Sequence, residues 1–384
     1  MKIAYISSNA YSDVDLSFIS EAQNVMDITY FIVMNPQNRR ACALDLRNDK
    51  LIEGINKGSE LEGIRKYKEL ININKVFVLY STSQHAYEYK SFKFWYGVNR
   101  YLKSEGFEII HYTTAPGFSN PFAYFNHRRI VLTVHDPIPH SSAINRGTER
   151  QRKLAFRLLK NFILLNQAQE QEFIKHYKLK GKNIYQSMLG CYTYLLKYKE
   201  QPRLVEDKYI LFFGRIDSYK GLNYLFPAMI EVHKVCPDLK LVVAGGGNYY
   251  FNIEQYQQLH YIDIRNYFIP DNELAALIRD CEFVVVPYID ATQSGVVMSA
   301  YAYNKPCVAT TVGGLPEMVK DNEFGVICAP KDVSELASAI LKLIETEGYL
   351  QTCSSNIEQY YSNGQRSWRQ IVKGIQSIYT KVNL

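Results

Sequence analysis

The chain has 384 residues, of which 47% are hydrophobic and 21% are charged. This length exceeds that of a typical single domain and, with this composition, favours a globular protein of two domains. No run approaches the roughly 18–20 apolar residues of a membrane span, and the chain starts with a strand-like segment rather than a signal peptide, so we expect a cytoplasmic protein. The seven cysteines contain no Cys-x-x-Cys pair, which argues against a disulfide framework and a zinc site.

Charge is unevenly distributed along the chain. Residues 1–200 contain 28 Lys and Arg against 18 Asp and Glu, a net charge of +10, whereas residues 201–384 contain 16 against 20, a net charge of −4. The excess is densest from Arg128 to Lys182, with 12 basic and 4 acidic residues. This segment favours a negatively charged partner, such as an anionic lipid or a phosphate-bearing acceptor, although a solvated basic surface would have the same composition.

The first half alternates short β-branched or aromatic runs with helix-length amphipathic stretches, a pattern typical of a parallel sheet with crossover helices. The polar segment Lys197–Asp207 interrupts this alternation and indicates a linker between two domains. The strands predicted before the linker are Ile3–Ser7, Ile28–Met34, Val76–Tyr80, Ile109–Tyr112, Ile130–Val134 and Phe162–Asn166.

A second alternation follows the linker. A predicted helix after its first strand ends before Pro237, and Asp332 with Glu335 forms a capping box for a helix that runs to about Glu345. The strands predicted here are Tyr209–Phe213, Leu239–Ala244, Phe283–Val286 and Cys307–Ala309.

The last helix carries an apolar stripe too large to leave in water, formed by Trp368, Ile371, Val372, Ile375 and Ile378. We therefore predict that residues 366–384 pack back on the N-terminal domain. The pattern as a whole predicts two Rossmann-like α/β domains facing each other across a cleft, residues 1–196 with the last helix, and residues 205–365.

Two cations lie at a predicted strand end and in the following turn. Arg215 and Lys220 are five positions apart in the segment Phe212–Gly221. A lysine at a helix start is unfavourable against the helix dipole unless an anion offsets it. A planar Arg fork and a Lys point charge would stabilise a nucleoside diphosphate and the charge that grows on it as a leaving group.

This block resembles the Gly-Arg…Lys-Gly signature of family 4 glycosyltransferases. The similarity is strong over residues 205–345 and holds in outline over the first half. Further segments that match in the family's order are Leu241–Gly247, Tyr267–Leu274, Pro287–Val296, Asn304–Thr310 and Val312–Glu317.

The resemblance implies a retaining, metal-independent GT-B enzyme with a nucleotide-diphosphate sugar as co-substrate and no other cofactor. It implies a nucleotide sugar in the C-terminal domain, and an acceptor, a glycan or a lipid-linked molecule, in the N-terminal domain, in cell-surface polysaccharide or glycolipid synthesis. The donor-binding candidates are Gly214, Gly245, Gly246, Phe268, Ile269, Gln293, Ser294, Gly295, Val296 and Ser299.

Glycines in the matching segments also have a physical interpretation of their own. Ser294-Gly295 precedes a predicted helix, whose free N–H groups and dipole can receive a phosphate oxygen. Gly313-Gly314 would let the backbone approach a ligand closely. The chain departs from the family where members usually carry two Glu residues, because Ala291 and Ser299 take their places. The donor site is then rebuilt with neutral hydrogen bonds or lost.

His135 and Asp136 come directly after a predicted buried strand, where such sheets present ligands. Similar pairs occur in the resembling family, where the His approaches the donor sugar. We therefore place His135 with Arg215 and Lys220 as a catalytic residue that orients the sugar, and not as a nucleophile. Acceptor-side candidates are Asp136 and two residues of the loop after the first strand, Ser8 and Asn9.

The stretch Tyr87–Leu102 combines basic and aromatic residues and is a candidate membrane-surface or acceptor-facing helix, with burial in the core as the alternative. Three functions stay open: a retaining transferase, a non-catalytic subunit that binds a partner or a sugar nucleotide, and an epimerase of sugar nucleotides. The cations Arg215 and Lys220 favour the first. We expect no metal site and no nucleic-acid partner, with peripheral contact to an anionic membrane as an open possibility.

Overall fold

Two α/β units make up the protein in the computed structural model, which describes residues 1–39, 42–83, 88–126, 128–138, 146–165, 167 and 169–383. The N-terminal unit contains residues 1–190 and 368–384, and the C-terminal unit contains residues 191–367. Within the described ranges, no helix has both the length and the apolar character needed to cross a bilayer.

The N-terminal unit is built on an eight-stranded sheet in the order β3-β4-β2-β1-β5-β6-β7-β8. All neighbouring strands are parallel except β3, which is antiparallel to β4. The strands are β1 (Lys2–Ser8), β2 (Asp27–Met34), β3 (Gly54–Lys57), β4 (Val76–Tyr80), β5 (Ile109–Tyr112), β6 (Ile130–Val134), β7 (Asn161–Leu164) and β8 (Asn183–Gln186). The helices are α1 (Ser12–Val25), α2 (Glu62–Arg65), α3 (Tyr89–Ser104), α4 (Arg146–Leu158), α5 (Glu170–Tyr177) and, at the end of the chain, α13 (Trp368–Asn383).

The six strands predicted for this half are confirmed, with β7 ending at Leu164 and the predicted end at Asn166 lying outside the described residues. Strands β3 and β8 were not predicted. They lie at the two edges of the sheet, and β8 has no fully buried residue, so neither carries the apolar run that indicates a buried strand.

The two faces of the sheet are covered by different helices. Ala4 and Ile6 of β1 pack in one core with α3, α4 and α5. Tyr5 points to the opposite face, as alternation along a strand requires, and its ring lies against Phe18 of α1. Helix α13 packs beside α1 and against β5 on that second face.

The apolar stripe of α13 is buried in the N-terminal unit, with Ile371, Val372, Ile375 and Ile378 each less than 10% exposed. A hydrogen-bond chain extends from the helix into the sheet. Tyr379 Oη lies 2.5 Å from His111 Nδ1, and His111 Nε2 lies 2.7 Å from Thr133 Oγ1 of β6. All three side chains are buried, so each polar atom depends on its neighbour in the chain.

Removing the hydroxyl at the end of this chain is expected to destabilise the N-terminal unit. Tyr379→Phe leaves His111 Nδ1 buried without a partner, which typically costs about 1–3 kcal/mol. Chemical denaturation measures this loss. Tyr89→Phe is the control, because Tyr89 is 80% exposed, and a surface change of this kind stays within about 0.5 kcal/mol. Equal stability of the two variants would contradict the assigned role.

The C-terminal unit has a six-stranded parallel sheet in the order β11-β10-β9-β12-β13-β14. Its strands are β9 (Tyr209–Phe213), β10 (Lys240–Ala244), β11 (Ile262–Arg265), β12 (Val284–Val286), β13 (Cys307–Thr310) and β14 (Gly325–Cys328). Its helices are α6 (Leu222–Val235), α7 (Glu254–Gln257), α8 (Asp271–Asp280), α9 (Gly295–Ala302), α10 (Leu315–Val319), α11 (Val333–Glu345) and α12 (Tyr349–Ile357).

The four strands and the capped helix predicted for this half are confirmed. Asp332 accepts a hydrogen bond from Glu335 N at 2.9 Å, and α11 ends at Glu345. The Glu335 carboxylate instead caps Ala329 N, so the capping box is half formed. The edge strands β11 and β14 were not predicted: β11 alternates apolar and charged residues, β14 begins with a glycine, and neither is fully buried as the inner strands are.

The division between the units differs from the predicted linker. Residues 191–196, expected in the N-terminal domain, group with the C-terminal unit. Tyr194 Oη donates to Asp271 at 3.3 Å, and Tyr303 Oη donates to the carbonyl of Leu195 at 2.8 Å. Tyr194 and Leu195 are buried there, so the chain changes units after Gly190 rather than in the polar stretch.

Candidate functional site

The C-terminal unit has a topological switch point beside β9. From β9 the chain passes to β10 and β11 on one side, and β12 then pairs on the other side. In open α/β sheets, ligands bind outside the carboxyl ends of the strands at such a point. Two loops leave the sheet there, residues 214–221 after β9 and 287–294 after β12. Both loops contain predicted site residues.

Lys220 is a buried cation at this edge. Its side chain lies in a single 3₁₀ turn, Ser218–Lys220, directly before α6, and the residue is 9% exposed. The ammonium sits 3.7 Å from the centre of the Tyr288 ring and 5.0 Å from that of Tyr219. Burial and the nearby positive charge of Arg215 lower the pKa of Lys220 to about 7, while the negative charge of Asp217 partly offsets this shift. Among the described residues, no carboxylate forms an ion pair with it.

The glycine after Lys220 allows this placement. Gly221 has φ +71°, and a Cβ built there would lie 1.8 Å from the carbonyl oxygen of Pro287. Ile289 N also donates to the carbonyl of Tyr219 at 2.8 Å. The loops after β9 and β12 are therefore joined backbone to backbone. This contact brings Lys220 over the ring of Tyr288.

Arg215 lies at the outer side of the same loop. Its side chain is 68% exposed, with Nε 3.8 Å from Asp217 and Nη2 3.5 Å from the hydroxyl of Tyr219. The guanidinium is thus oriented by weak contacts and stays accessible from solvent. Arg215 and Lys220 are brought together by one loop, as the sequence predicts, with one cation exposed and one buried.

Helix α9 begins at the same edge, after Ser294. The Ser294 side chain is buried, and its Oγ lies close enough to the hydroxyl of Tyr288 to interact with it, although not in good hydrogen-bond geometry. The hydroxyl of Tyr288 is also buried, and neither hydroxyl has a well-formed hydrogen bond to another described residue. Unsatisfied hydroxyls at a helix N-terminus can receive an anionic oxygen together with the free N–H groups of the first turn.

Ser299, which takes the place of a family Glu, is engaged within α9. It is 5% exposed, and its hydroxyl donates to the carbonyl of Gly295 at 2.9 Å. Ala291, which takes the other Glu position, is buried. Gly295 has a packing role, because a Cβ there would meet the hydroxyl of Tyr192 at 2.8 Å.

The glycine turns after β9 and β10 fit against each other. A Cβ at Gly245 would lie 1.9 Å from the carbonyl oxygen of Gly214, and one at Gly214 would contact the Val296 side chain at 3.5 Å. Gly246 abuts the backbone of Tyr267 and Phe268. The loops that contain Gly214, Gly245 and Gly246 are therefore packed closely together at this edge of the sheet.

Phe268 and Ile269 play different parts beside these loops. The Phe268 ring is 54% exposed, whereas Ile269 is buried. Neighbouring Tyr267 donates to Glu273 at 2.6 Å, which anchors the segment. The exposed ring offers a flat apolar face on which a nucleobase can stack. Gln293 is partly buried beside Ser294.

Gly313 was predicted to let the backbone approach a ligand, and the structure gives it an internal reason instead. Its φ is +52°, and a Cβ would lie 1.4 Å from the carbonyl oxygen of Ala291. Gly314 N donates to the carbonyl of Thr292 at 3.0 Å. These glycines hold the loop that precedes Ser294.

The N-terminal unit has a cavity of about 170 Å³ at the carboxyl ends of β5 and β6. Its wall contains His135, whose ring stacks on that of Tyr11 with centroids 4.3 Å apart and planes 8° apart. Burial lowers the pKa of His135 to about 4, so the imidazole is neutral at pH 7. Its Nε2 has no partner within the described residues. The residues around the cavity include Tyr11, Thr113, Thr114, His135, Asp136, Thr148, Gln151 and Arg152.

The acceptor-side candidates are placed differently from one another. Asp136 lines the cavity. Asn9 is fully buried; its amide nitrogen donates to Cys42 Sγ at 3.0 Å, and its Oδ1 has no partner among the described residues. Ser8 caps the turn Asn9–Tyr11, with its hydroxyl accepting from Ala10 N at 3.4 Å, and neither residue lines the cavity.

Sequence reasoning missed three residues of these two sites. Tyr11 and Arg152 lie at the cavity, and Arg152 Nη2 donates to the carbonyls of Asp136 and Pro137, which fixes the turn after β6. Tyr288 supports Lys220. The available signal was an aromatic residue close after a strand end, at Tyr11 after β1 and Tyr288 after β12.

An Asp-x-Asp sequence at Asp13 and Asp15 is not arranged as a metal site. Asp15 is buried and accepts hydrogen bonds from Tyr5 and Tyr30 at 2.7 and 3.0 Å. Burial raises the pKa of its carboxyl to about 7, against hydrogen bonds that lower it. Over the described ranges, no group of three or more His, Cys, Asp or Glu is positioned to hold a metal ion.

The C-terminal unit resembles a known protein family in sequence. Residues 207–346 match the family model described as glycosyl transferases group 1. An uncharacterized glycosyltransferase of Methanocaldococcus jannaschii is 29% identical over 178 residues, which are 45% of this chain and 48% of that protein. A D-inositol 3-phosphate glycosyltransferase of Corynebacterium aurimucosum is 27% identical over 226 residues, 52% of this chain and 53% of the relative. The chain spans about half the length of the curated relatives it matches.

Solved structures extend the likeness to the full chain at the level of fold. Sucrose-phosphate synthase from Thermosynechococcus elongatus superposes with a TM-score of 0.70 at 15% identity, covering 100% of this chain and 99% of that one. Anabaena HepE in complex with UDP-glucose superposes with a TM-score of 0.70 at 17% identity, covering 99% and 100%. The chain therefore has the GT-B fold that was predicted.

Proposed function

We propose that this protein is a retaining glycosyltransferase that transfers a sugar from a nucleoside diphosphate sugar to a glycan or lipid-linked acceptor in cell-surface polysaccharide or glycolipid synthesis. One observation carries the proposal. Lys220 is a buried cation at a topological switch point, and no acidic side chain of the described residues pairs with it. A buried amine without a counter-ion loses its proton readily, in keeping with its pKa of about 7, and an anionic ligand would stabilise its charged form.

The surroundings of Lys220 suit a diphosphate in particular. Arg215 adds a second, exposed positive charge from the same loop. The buried Ser294 hydroxyl and the start of α9 add neutral donors. The exposed ring of Phe268 would stack on the base. The likeness of residues 207–346 to group 1 transferases, and the UDP-glucose in the Anabaena structure, support the same class of donor.

In the proposed reaction, Lys220 and Arg215 stabilise the diphosphate as it leaves the sugar. The bond between C1 of the sugar and the diphosphate oxygen breaks, the acceptor oxygen bonds to C1 on the same face, and the acceptor proton passes to the departing diphosphate. Negative charge on the diphosphate increases along this path. Lys220 and Arg215 would stabilise that charge without a metal ion or further cofactor.

His135 would act by a neutral hydrogen bond. Its ring is held by stacking on Tyr11, and Nε2 is left to bind a ligand. Because its pKa is about 4, the imidazole stays neutral from about pH 5 upward. We propose that it orients the transferred sugar, and that Asp136 contacts the acceptor.

His135→Ala is expected to reduce turnover while leaving nucleoside diphosphate affinity unchanged, since only the sugar end loses a contact. Loss of one preorganised hydrogen bond typically lowers kcat by about 100- to 1,000-fold. Tyr11→Phe keeps the stacking ring and should retain activity, whereas Tyr11→Leu should lose part of it. Calorimetry with the nucleotide and a transfer assay separate the two effects. Equal loss of nucleotide affinity in His135→Ala would contradict this role.

A non-catalytic sugar-nucleotide-binding subunit is the second candidate. Ala291 and Ser299 stand at the two positions where members of the resembling family usually carry Glu. Both residues are buried and neither offers a carboxylate, which favours a subunit without catalytic activity. An epimerase would also need catalytic carboxylates at the donor, so the same observation counts against it.

The decisive experiment is a donor screen followed by product analysis. Thermal-shift titrations with uridine, guanosine and adenosine diphosphate sugars identify the donor, because a ligand that binds the folded state raises the melting temperature. Incubation with the stabilising donor and candidate acceptors then yields a product whose anomeric configuration is read by NMR. Transfer with retained configuration supports the proposal. Binding without transfer supports the subunit, and inverted configuration overturns the retaining assignment.

A further inference from the structure

Helix α3 presents an exposed face made mainly of basic and aromatic side chains. Ser91, Phe94, Val98 and Leu102 bury the inner face against the sheet. The outer face repeats at intervals of four and three residues, the spacing of one side of a helix. Its members are Tyr89, Lys93, Tyr96, Arg100 and Lys103, with Lys90 and Gly97 beside them. The helix contains no acidic residue.

A second aromatic group extends this face. The ring of Phe122 lies 5.4 Å from that of Tyr96, and Phe125 in the same short 3₁₀ segment is 80% exposed. Arg128 and Arg129 follow on the surface. We call the surface formed by α3, Phe122, Phe125, Arg128 and Arg129 the α3 face.

The cations of the α3 face are not neutralised by the protein. Lys93, Arg100 and Lys103 form no ion pair with any described residue, and the same is true of Arg129. The acidic residues that flank this face have other partners: Glu88 accepts from Ser83, Glu53 accepts from Thr82, and Glu105 and Glu108 pair with Lys2 and the N-terminus. The face therefore has a net positive charge available to a partner.

We propose that the α3 face binds the surface of an anionic lipid bilayer. Cations near such a surface each contribute to binding, and aromatic rings partition into the headgroup region. A soluble polyanion would account for the cations alone. The exposed rings of Tyr89 and Phe125, each 80% exposed, are accounted for by insertion at the interface. This inference does not depend on the donor site.

The test uses flotation of the full chain with vesicles of phosphatidylcholine, alone or mixed with phosphatidylglycerol. We expect binding to the mixed vesicles only. The triple variant Lys93→Ser, Arg100→Ser, Lys103→Ser should lower the partition coefficient about a hundredfold, at roughly fivefold for each cation. A far-UV spectrum and a melting curve show that the variant remains folded.

A matched control lies on the opposite face of the sheet. Arg369, Lys373 and Lys381 are exposed on α13, so changing all three to Ser removes the same charge. This control should keep the partition coefficient within about fivefold of wild type. Equal loss in both triple variants would show a general charge effect and overturn the proposal.

A second variant pair separates a bilayer from a soluble polyanion. Tyr89→Ser with Phe125→Ser keeps all cations, so it should weaken vesicle binding at least tenfold and leave retention on heparin unchanged. No binding of wild type to the mixed vesicles, with retention on heparin, would assign the face to a polyanion and overturn the proposal.

Discussion

Lys220→Ala is expected to lower kcat/KM for the donor by about 30- to 900-fold, the equivalent of roughly 2–4 kcal/mol of transition-state stabilisation. Lys220 is the buried amine at the switch-point edge. Its removal would leave the growing negative charge of the leaving diphosphate without this stabilising positive charge. Nucleotide affinity should fall in parallel. Arg215→Ala is expected to act in the same direction through the same charge. Steady-state kinetics with the identified donor measure both.

The control for this change is Lys234→Ala, because Lys234 is an exposed cation of the same unit that forms no ion pair with a described residue. It should retain full activity. Wild-type kinetics in Lys220→Ala would refute the placement of the diphosphate at this edge.

The second large effect is expected at Gly221. An Ala here would have to adopt φ +71° and place its Cβ 1.8 Å from the carbonyl oxygen of Pro287. The clashing atoms belong to the backbone of Pro287, which cannot rotate away as a side chain could. The loops after β9 and β12 must therefore separate. We expect a loss of at least about 2–3 kcal/mol in stability and of nucleotide binding, because Lys220 moves with its loop.

Gly348→Ala provides the matched control for Gly221→Ala. Gly348 has φ +72°, nearly the same conformation, and a Cβ there meets nothing within 4 Å. Its substitution should cost only the conformational term, about 1–2 kcal/mol, and leave nucleotide affinity unchanged. Denaturation and calorimetry of the two variants isolate the Pro287 contact. Equal effects would mean that this contact does not position Lys220.

The central strands of both sheets could be predicted because they are buried on two faces. Residues 76–80, 130–134 and 209–213 are short, nearly continuous apolar runs, which indicate parallel strands between layers of helices. The edge strand β3 has the sequence Gly-Ile-Asn-Lys, and its pairing with β4 depends on the tertiary fold. Local sequence carries no signal for such a strand.

The site could be predicted in part for a related reason. Arg215, Lys220 and Ser294 follow strands, so topology alone collects them at one edge. The direction of each side chain could not be predicted. Asn9 turns inward to Cys42 while Tyr11, two residues later, stacks on His135. Likewise, Gly313 is required by the carbonyl of Ala291, a contact between segments far apart in the chain.

The protonation of Lys220 should make nucleotide binding depend on pH. Only the charged amine attracts the diphosphate, and the pKa of Lys220 in the protein without bound nucleotide is about 7. Nucleotide affinity should be full below pH 7 and decrease as pH rises through this value, by up to tenfold per pH unit until the higher pKa of the bound state is passed.

Calorimetry of nucleoside diphosphate binding at pH 8, in two buffers with different ionisation enthalpies, shows whether Lys220 holds the diphosphate. At this pH the free Lys220 amine is mostly neutral, so binding should take up between about half and one proton. Lys220→Ala should bind weakly and without that uptake. Tight binding with no proton uptake in the wild type, or unchanged binding in Lys220→Ala, would contradict the claim that a buried lysine beside Tyr288 holds the diphosphate.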